Sequence, residues 1–514
     1  MTQLGWTRRA FLARSGATAG ILALGAVGCS SDDDDKAADE DKEGDSSSRE
    51  VTSGDGIVND ADVPETAAIF GWINEVFDQG IRRPGYDADV WAEEFVQQQF
   101  TDIGLENVRL EPITAKKWEP TDWSLEVISA GGETKTLECF PVPYSTPTES
   151  IELDLGAFDA GAEAVRGKAS LYDVELLRLP ADFLVSQGDA AELDPTTRIV
   201  DPDGTLAGAE HIIPFGGDIM DVMEKSIDAG ATAFIGSLKN YPGNSFNYFV
   251  PYDAQVRPIP GVWVSGTDGA WLREQLAAGP VKVKLAVTST LEDYESHNVV
   301  GELSGADDEV VMIGSHHDGP WSSAVEDGSG ISLVLAQATY WAAQPAEKRP
   351  HRMVFLLHGG HMSDGAGLHQ YIEAHREELA KVVLEIHLEH AALEFDEDEA
   401  GELKSLDMPT PKWWFVSRLP ELEATVKEAL ETEGIRRSMI LAPNAFGDQP
   451  PTDGAFYHTE GVPIVQHLAA PWYLFDELDR PDKIDQEGLV PLTRATIRII
   501  ESTRGVSAAA MRQA

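Results

Sequence analysis

Four apolar runs in the second half of the chain end on histidine. "EVVMIGS" runs into His316 and His317, "RMVFLL" into His358, "VVLEI" into His387 with His390 just beyond, and "VPIVQ" into His467. Unbroken runs of β-branched and large apolar residues suit strands buried on both faces, and the intervening "GISLVLAQATYWAAQ" and "GLHQYIEAHREELAK" carry apolar residues at helical spacing. The pattern predicts an α/β fold with a mainly parallel, doubly wound sheet. Open sheets of this kind bind ligands beyond the carboxyl ends of their strands. Of the 13 histidines, 12 lie between His297 and His467, several at those ends with Asp or Glu beside them. That clustering favours a metal or acid/base site over isolated polar residues.

Charge narrows the partners. With 88 acidic against 39 basic residues the formal net charge is -49, which repels phosphate backbones and anionic lipid surfaces, so nucleic acid is not an expected partner. The expected substrate is a peptide or another small polar molecule such as a sugar, since the loops "KNYPGNSFNYFVPYD" and "LAPNAFGDQPPTD" offer aromatic and amide groups suited to either.

The first 29 residues read as an address. Arg8 and Arg9 precede an apolar stretch too short to span a bilayer, which resembles a twin-arginine export signal. It ends in "AVGC", which resembles a lipoprotein cleavage box and makes Cys29 the expected lipidation site. Residues 30–62 begin as an acidic, apolar-poor tether. A cell-surface or periplasmic location follows, with the membrane as a partner only through the anchor. Cys139 is the sole other cysteine, so an internal disulfide and a cysteine zinc site are both excluded.

Folded sequence is expected from residue 63, with 63–149 as the N-terminal part of the catalytic-type domain. Between 150 and 290 the texture changes to short strands, turns and two helices, and the segment resembles the protease-associated domain that accompanies extracellular peptidases. Residues 291–514 complete the main domain.

"SHHDGPWSSAVEDGSG", "FLLHGGHMSDGAGL", "EIHLEHA" and "TDGAFYHTEGVPIV" occur in an order and spacing that resemble the M28 class of zinc aminopeptidases and carboxypeptidases. The resemblance implies a zinc-exopeptidase-type sheet and places metal ligands on His316, on Glu326 (or Asp327, one residue on) and on Glu389. Asp318 becomes the carboxylate expected to orient His316. The family's adjacent glutamates, general base and second-metal ligand, fall on Gly360 and His361. Its last histidine falls on Leu474 or Phe475.

Two elements of the usual site are therefore replaced. His361 becomes a candidate ligand, His467 a candidate catalytic residue that could stand in for the lost histidine, and His358 and His390 candidates for acid/base work, because imidazole titrates near neutrality. His317, His387 and His458 read as structural. The expected cofactor is one divalent ion rather than two, zinc by donor type, with manganese or iron if more oxygens take part. Three functions stay open: a hydrolase with a rebuilt site, a metal-dependent cyclotransferase or lyase on the same fold, and a catalytically silent binding or receptor-like protein.

If the address is as read, Cys29→Ser moves the mature protein from the membrane fraction to the medium or periplasmic fluid. Retention of that variant in the membrane pellet shows that the anchor lies elsewhere.

Overall fold

The computed structural model describes residues 56–187, 198–214, 219, 221–447 and 450–512. The leader, Cys29 and most of the acidic tether lie outside the described residues. Among the described residues no helix is long and apolar enough to cross a membrane.

Two helices open the fold, α1 (Thr66–Phe77) and α2 (Asp87–Ile103). They are followed by an exceptionally long strand, β1 (Glu106–Ile128), whose antiparallel partner is the equally long β2 (Lys282–Leu303). The main sheet then alternates with helices: β3 (Val310–His316), α3 (Gly330–Ala343), β4 (Arg352–His358), β5 (Val382–Leu388), β6 (Lys412–Val416), β7 (Ser438–Leu441), β8 (Ile464–Ala469) and α4 (Gln486–Glu501). β3 lies between β4 and β5, parallel to both, and β5 is parallel to β8. Every residue of β3, β5, β6 and β8 is buried, as the continuous apolar runs require of strands covered on both faces. α3 is buried nearly end to end and packs on this sheet.

The inserted segment has its own parallel centre, formed by Thr148–Ala157, Ala169–Val174, Ala233–Leu238 and Gly261–Ser265. Its helix Gly266–Ala278 is capped by Ser265 Oγ, which accepts from the Asp268 amide at 3.2 Å. The two parallel centres are joined rather than separate. β2 pairs with Thr148–Ala157 through Lys282–Val287 and with β4 through Val299–Leu303, antiparallel in both cases, so among the described residues one 15-stranded sheet joins the two centres.

Two expectations change here. The sheet is mixed, because the strands joining its parallel centres are antiparallel, as is β6 against β8. The boundary expected between 290 and 291 falls inside β2. Residues 282–303 contain no proline and only Gly301, so nothing in the sequence interrupts the strand, and both halves of it find partners. The alternation of strands and helices and the order of the runs stand as predicted, as do the strand-end places of His316 and His358, whereas β5 runs one residue past His387 and β8 two past His467.

Candidate active site

The site begins with an irregular turn. Beyond β3 the chain loops through residues 317–329 before α3, and a buried arginine holds this loop. Arg82 is fully buried, and its guanidinium donates to the carbonyls of His317 (3.2 Å), Ser322, Ser323 (2.9 Å) and Glu326 (3.3 Å). From the other side, Asp479 accepts from the amides of Val325 and Glu326, both at 2.8 Å. Burial pushes the Asp479 carboxyl up to about 7, against the pull of these amides. Together they fix the backbone of Glu326 and leave its side chain to point inward.

Three groups converge there. His316 Nε2 lies 3.5 Å and His361 Nε2 lies 3.6 Å from Glu326 Oε1. The two imidazoles stack with centroids 3.9 Å apart and planes within 8°. Nitrogen and oxygen atoms of His316, Glu326 and His361 fall within 4.8 Å of one another, and all three residues are buried. The other ring nitrogens are committed: His316 Nδ1 is 2.8 Å from the Asp318 carbonyl, and His361 Nδ1 is 2.9 Å from the Asp453 carboxylate. Burial first, and then the neighbouring His361, hold His316 well below the usual imidazole range. It is therefore a neutral ring whose Nδ1–H donates to the carbonyl, and its Nε2 lone pair, which finds no hydrogen bond, faces Glu326. This is the protonation state a ligand histidine requires.

Asp327 is turned away from this cradle. Its Oδ1 accepts from the Gly330 amide at 2.8 Å and its Oδ2 from Ser315 Oγ, and Oδ2 is 4.0 Å from His316 Nε2. It ties the start of α3 to β3. Of the two candidates left open by the sequence, Glu326 faces the imidazoles.

Glu389 is a correction. Glu385, His387 and Glu389 alternate along and just beyond β5, so they share one face, and Glu389 Oε1 lies 3.2 Å from His387 Nε2, in a second cluster with His387 and Asp453. His390 turns instead toward Glu326. Its backbone sits at φ 58°, which breaks the alternation, and its Nε2 is 2.6 Å from Glu326 Oε2 while Nδ1 donates to the Ala469 carbonyl at 2.7 Å. Burial opposes protonation of His390, but Glu326, Glu389 and Asp327 outweigh it and push the imidazole up to about 10.

Asp318 also acts differently from expectation. Its backbone carbonyl, not its carboxylate, meets His316, and the carboxylate accepts from the amides of His361 (2.9 Å) and Met362 (2.7 Å). Asp318 thus positions both histidines of the cradle through different atoms. His358 and His467 stand outside it. His358 Nε2 meets the Tyr457 hydroxyl at 3.1 Å, its ring lies 6.3 Å from that of His387, and burial pushes it down to about 3. His467 packs on Trp414 at 4.7 Å between centroids, and burial holds it well below its ordinary range. His317 is a brace. Its ring bridges Asp89 Oδ1 (2.9 Å) and the His297 carbonyl (2.8 Å), so both nitrogens carry protons, and Asp89, against the cost of burial, raises it to about 9. A doubly donating imidazole has no lone pair for an ion.

Sequence reasoning missed Asp453. It directly precedes the short helix Gly454–Thr459, where an aspartate ordinarily reads as a cap. Burial would raise its carboxyl, but His361, His387 and His316 more than offset this and hold it well below the usual range. The signal was its place in "TDGAFYHTEG", one of the segments that carry the family resemblance.

The position aligned with the family's general base is sterically shut. Gly360 has φ +69°, and a Cβ there would sit 3.2 Å from Ala115 Cβ and from Ala366 Cβ. Phe475, which with Leu474 is one of two positions where the resemblance puts the last family histidine, packs against Tyr252 (5.0 Å between centroids), and Tyr252 stacks on His361 at 5.6 Å.

The chain combines an α/β sheet with a buried imidazole–carboxylate cradle near its strand ends. Residues 298–499 match the model of peptidase family M28, and over this domain the chain is similar to that family. Leucine aminopeptidase 2 of Trichophyton equinum is 35% identical over 179 residues, 34% of this chain and 33% of that protein. Leucine aminopeptidase 2 of Arthroderma otae is 35% identical over 134 residues, 26% of this chain and 25% of that protein. The matches thus span about a quarter to a third of these relatives. Carboxypeptidase Q of Bos taurus is 24% identical over 304 residues, 55% of this chain and 56% of that protein. In fold, the chain is similar to a peptidase M28 precursor from Shewanella amazonensis (TM-score 0.62, 18% identity, 84% of this chain and 92% of that one). It is also similar to a zinc aminopeptidase from Bacillus subtilis (TM-score 0.60, 15% identity, 86% and 96%).

Arg82→Met leaves four buried loop carbonyls without their donor. We expect a stability loss of about 3 to 5 kcal/mol in denaturant titrations. Wild-type stability in that variant would show that the loop holds itself.

Proposed function

We propose that this protein is a metal-dependent hydrolase acting on peptides, working from a rebuilt M28 site that holds its ion with His316, Glu326 and His361. One observation carries the reading: the unsatisfied, fully buried Nε2 of a neutral His316 faces Glu326 beside an equally oriented His361. Two imidazole nitrogens and a carboxylate suit zinc. The leucine aminopeptidase relatives and the zinc aminopeptidase of similar fold support both the ion and the peptide substrate.

A divalent ion bound there supplies Lewis acidity toward a carbonyl group and a water. The chain's own residues do the rest. Asp318 and Asp453 orient the two imidazoles, a role whose loss typically costs ~10 to 100-fold in affinity or activity. With the glutamate base absent at Gly360, proton handling falls to His390, whose Nδ1 is anchored on the Ala469 carbonyl and whose Nε2 faces Glu326 Oε2. Tyr252 and Phe475 exclude water from the His361 side of the cradle. A further part of the proposal is that the body works outside the cytoplasmic membrane, as Arg8, Arg9 and Cys29 suggest, with the insert acting as a protease-associated domain.

A second reading has one observation in its favour. His361 is 5% exposed and covered by Tyr252, a degree of closure that also suits a silent binding protein. Turnover decides between them. His316→Ala is expected to lose the ion of this cradle and to abolish hydrolysis of aminoacyl or dipeptide substrates. His390→Gln is expected to keep the metal and lower kcat by ~100-fold or more, in the range of lost general acid–base catalysis. Metal retained with no peptide hydrolysis by the wild type favours the binding reading, and unchanged metal content in His316→Ala removes the cradle.

Restoring the glutamate alone is expected to fail. Gly360→Glu introduces a left-handed, crowded side chain, so lower thermal stability and no gain in aminopeptidase rate are expected. A rate gain would show that the loop adapts.

A further inference from the structure

The cradle at His316 leaves a second group of buried polar atoms unexplained. His387 stands one residue before the end of β5 with no solvent exposure. Its Nδ1 is 3.0 Å from Glu385 Oε1, so a proton on Nδ1 is accounted for and Nε2 is left to face inward. That nitrogen lies 3.2 Å from Glu389 Oε1 and 4.0 Å from Asp453 Oδ2. Beyond this 3.2 Å contact with each other, His387 Nε2 and Glu389 Oε1 have no well-aligned hydrogen-bond partner, although both are buried. Leaving such atoms unsatisfied costs about 1–3 kcal/mol each, and a fold does not accumulate that cost without a compensating partner. The atoms come from three places in the chain: the end of β5, the residue following it, and the residue before helix Gly454–Thr459.

We propose that His387, Glu389 and Asp453 form a second divalent-cation site, in place of the single ion expected from the sequence. Their ligand atoms lie within 4.8 Å of one another, a span that admits one ion, and an imidazole with two carboxylates suits zinc or manganese. Neither His387 nor Asp453 stands where the family resemblance implies a ligand, so this is not the usual second metal restored. Asp453 links the two sites. Its carboxylate accepts from His361 Nδ1 while one oxygen faces His387, so an ion beside it also fixes the imidazole of the first cradle. The competing arrangement is a proton on His387 Nε2, shared with Glu389.

Metal stoichiometry separates the two. Purified full-length mature protein, stripped with chelator and titrated calorimetrically with zinc and separately with manganese, is expected to take up two equivalents. His387→Asn and Glu389→Gln are each expected to take up one, and His316→Ala the other one. Retention of the His316 equivalent in the first two variants shows that they remain folded. A wild type that binds one equivalent, lost in His316→Ala and kept in His387→Asn, overturns the second site and leaves the first. Two equivalents persisting in both His387→Asn and Glu389→Gln also overturn it, and a wild type that binds none removes both sites.

Discussion

The guanidinium of Arg82 is charged, fully buried and surrounded by carbonyl oxygens rather than by a single carboxylate partner. Burying such a group is expensive unless its donors are all used, and here the loop between β3 and α3 uses them. The loop therefore exists in its inward-facing form only with the arginine in place, and the arginine is tolerable only with the loop closed around it. Asp89, Asp318, Asp327 and Asp479 offset the cost of burying the charge. Glu326 inherits its position from this mutual dependence, and the stacked pair of His316 and His361 is useful only because Glu326 is held opposite it.

On the proposed reading the site departs from that of its relatives by substitution: His361 stands where the resemblance implies a ligand carboxylate, Gly360 where it implies a base, and Leu474 or Phe475 where it implies a terminal histidine. Each change removes negative charge or a ligand, and His390 and Asp453 bring polar groups back from neighbouring strands.

Much of this was legible in the sequence for a simple reason: buried parallel strands have to be apolar throughout, so polar residues concentrate where the strands end. That made β3, β4, β5 and β8 and their histidines visible. Direction was not visible. His358 stands at the end of β4 and His467 two residues before the end of β8, yet they turn toward Tyr457 and Trp414, and the turn at His390, with its positive φ, aims that ring at Glu326 while Glu389 keeps the face of His387. Asp453 was hidden by its resemblance to a helix cap, and the reach of β2 across the expected domain boundary was hidden because a strand that changes partners leaves no mark in its own composition.

That shared strand has a consequence for how the protein can change over time. β2 contributes one end to the sheet of the insert and the other to the sheet of the main domain, and β1 runs beside it for nearly its full length. The insert is therefore not an appendage that recombination can trim at a loop. Excising it would remove the Lys282–Val287 end of β2 and leave the Trp123–Ile128 end of β1 without that partner, a template for aggregation. Drift in the loops that carry Tyr252 is open to selection, but loss of the insert as a whole is not, so the two parts are bound to diverge together.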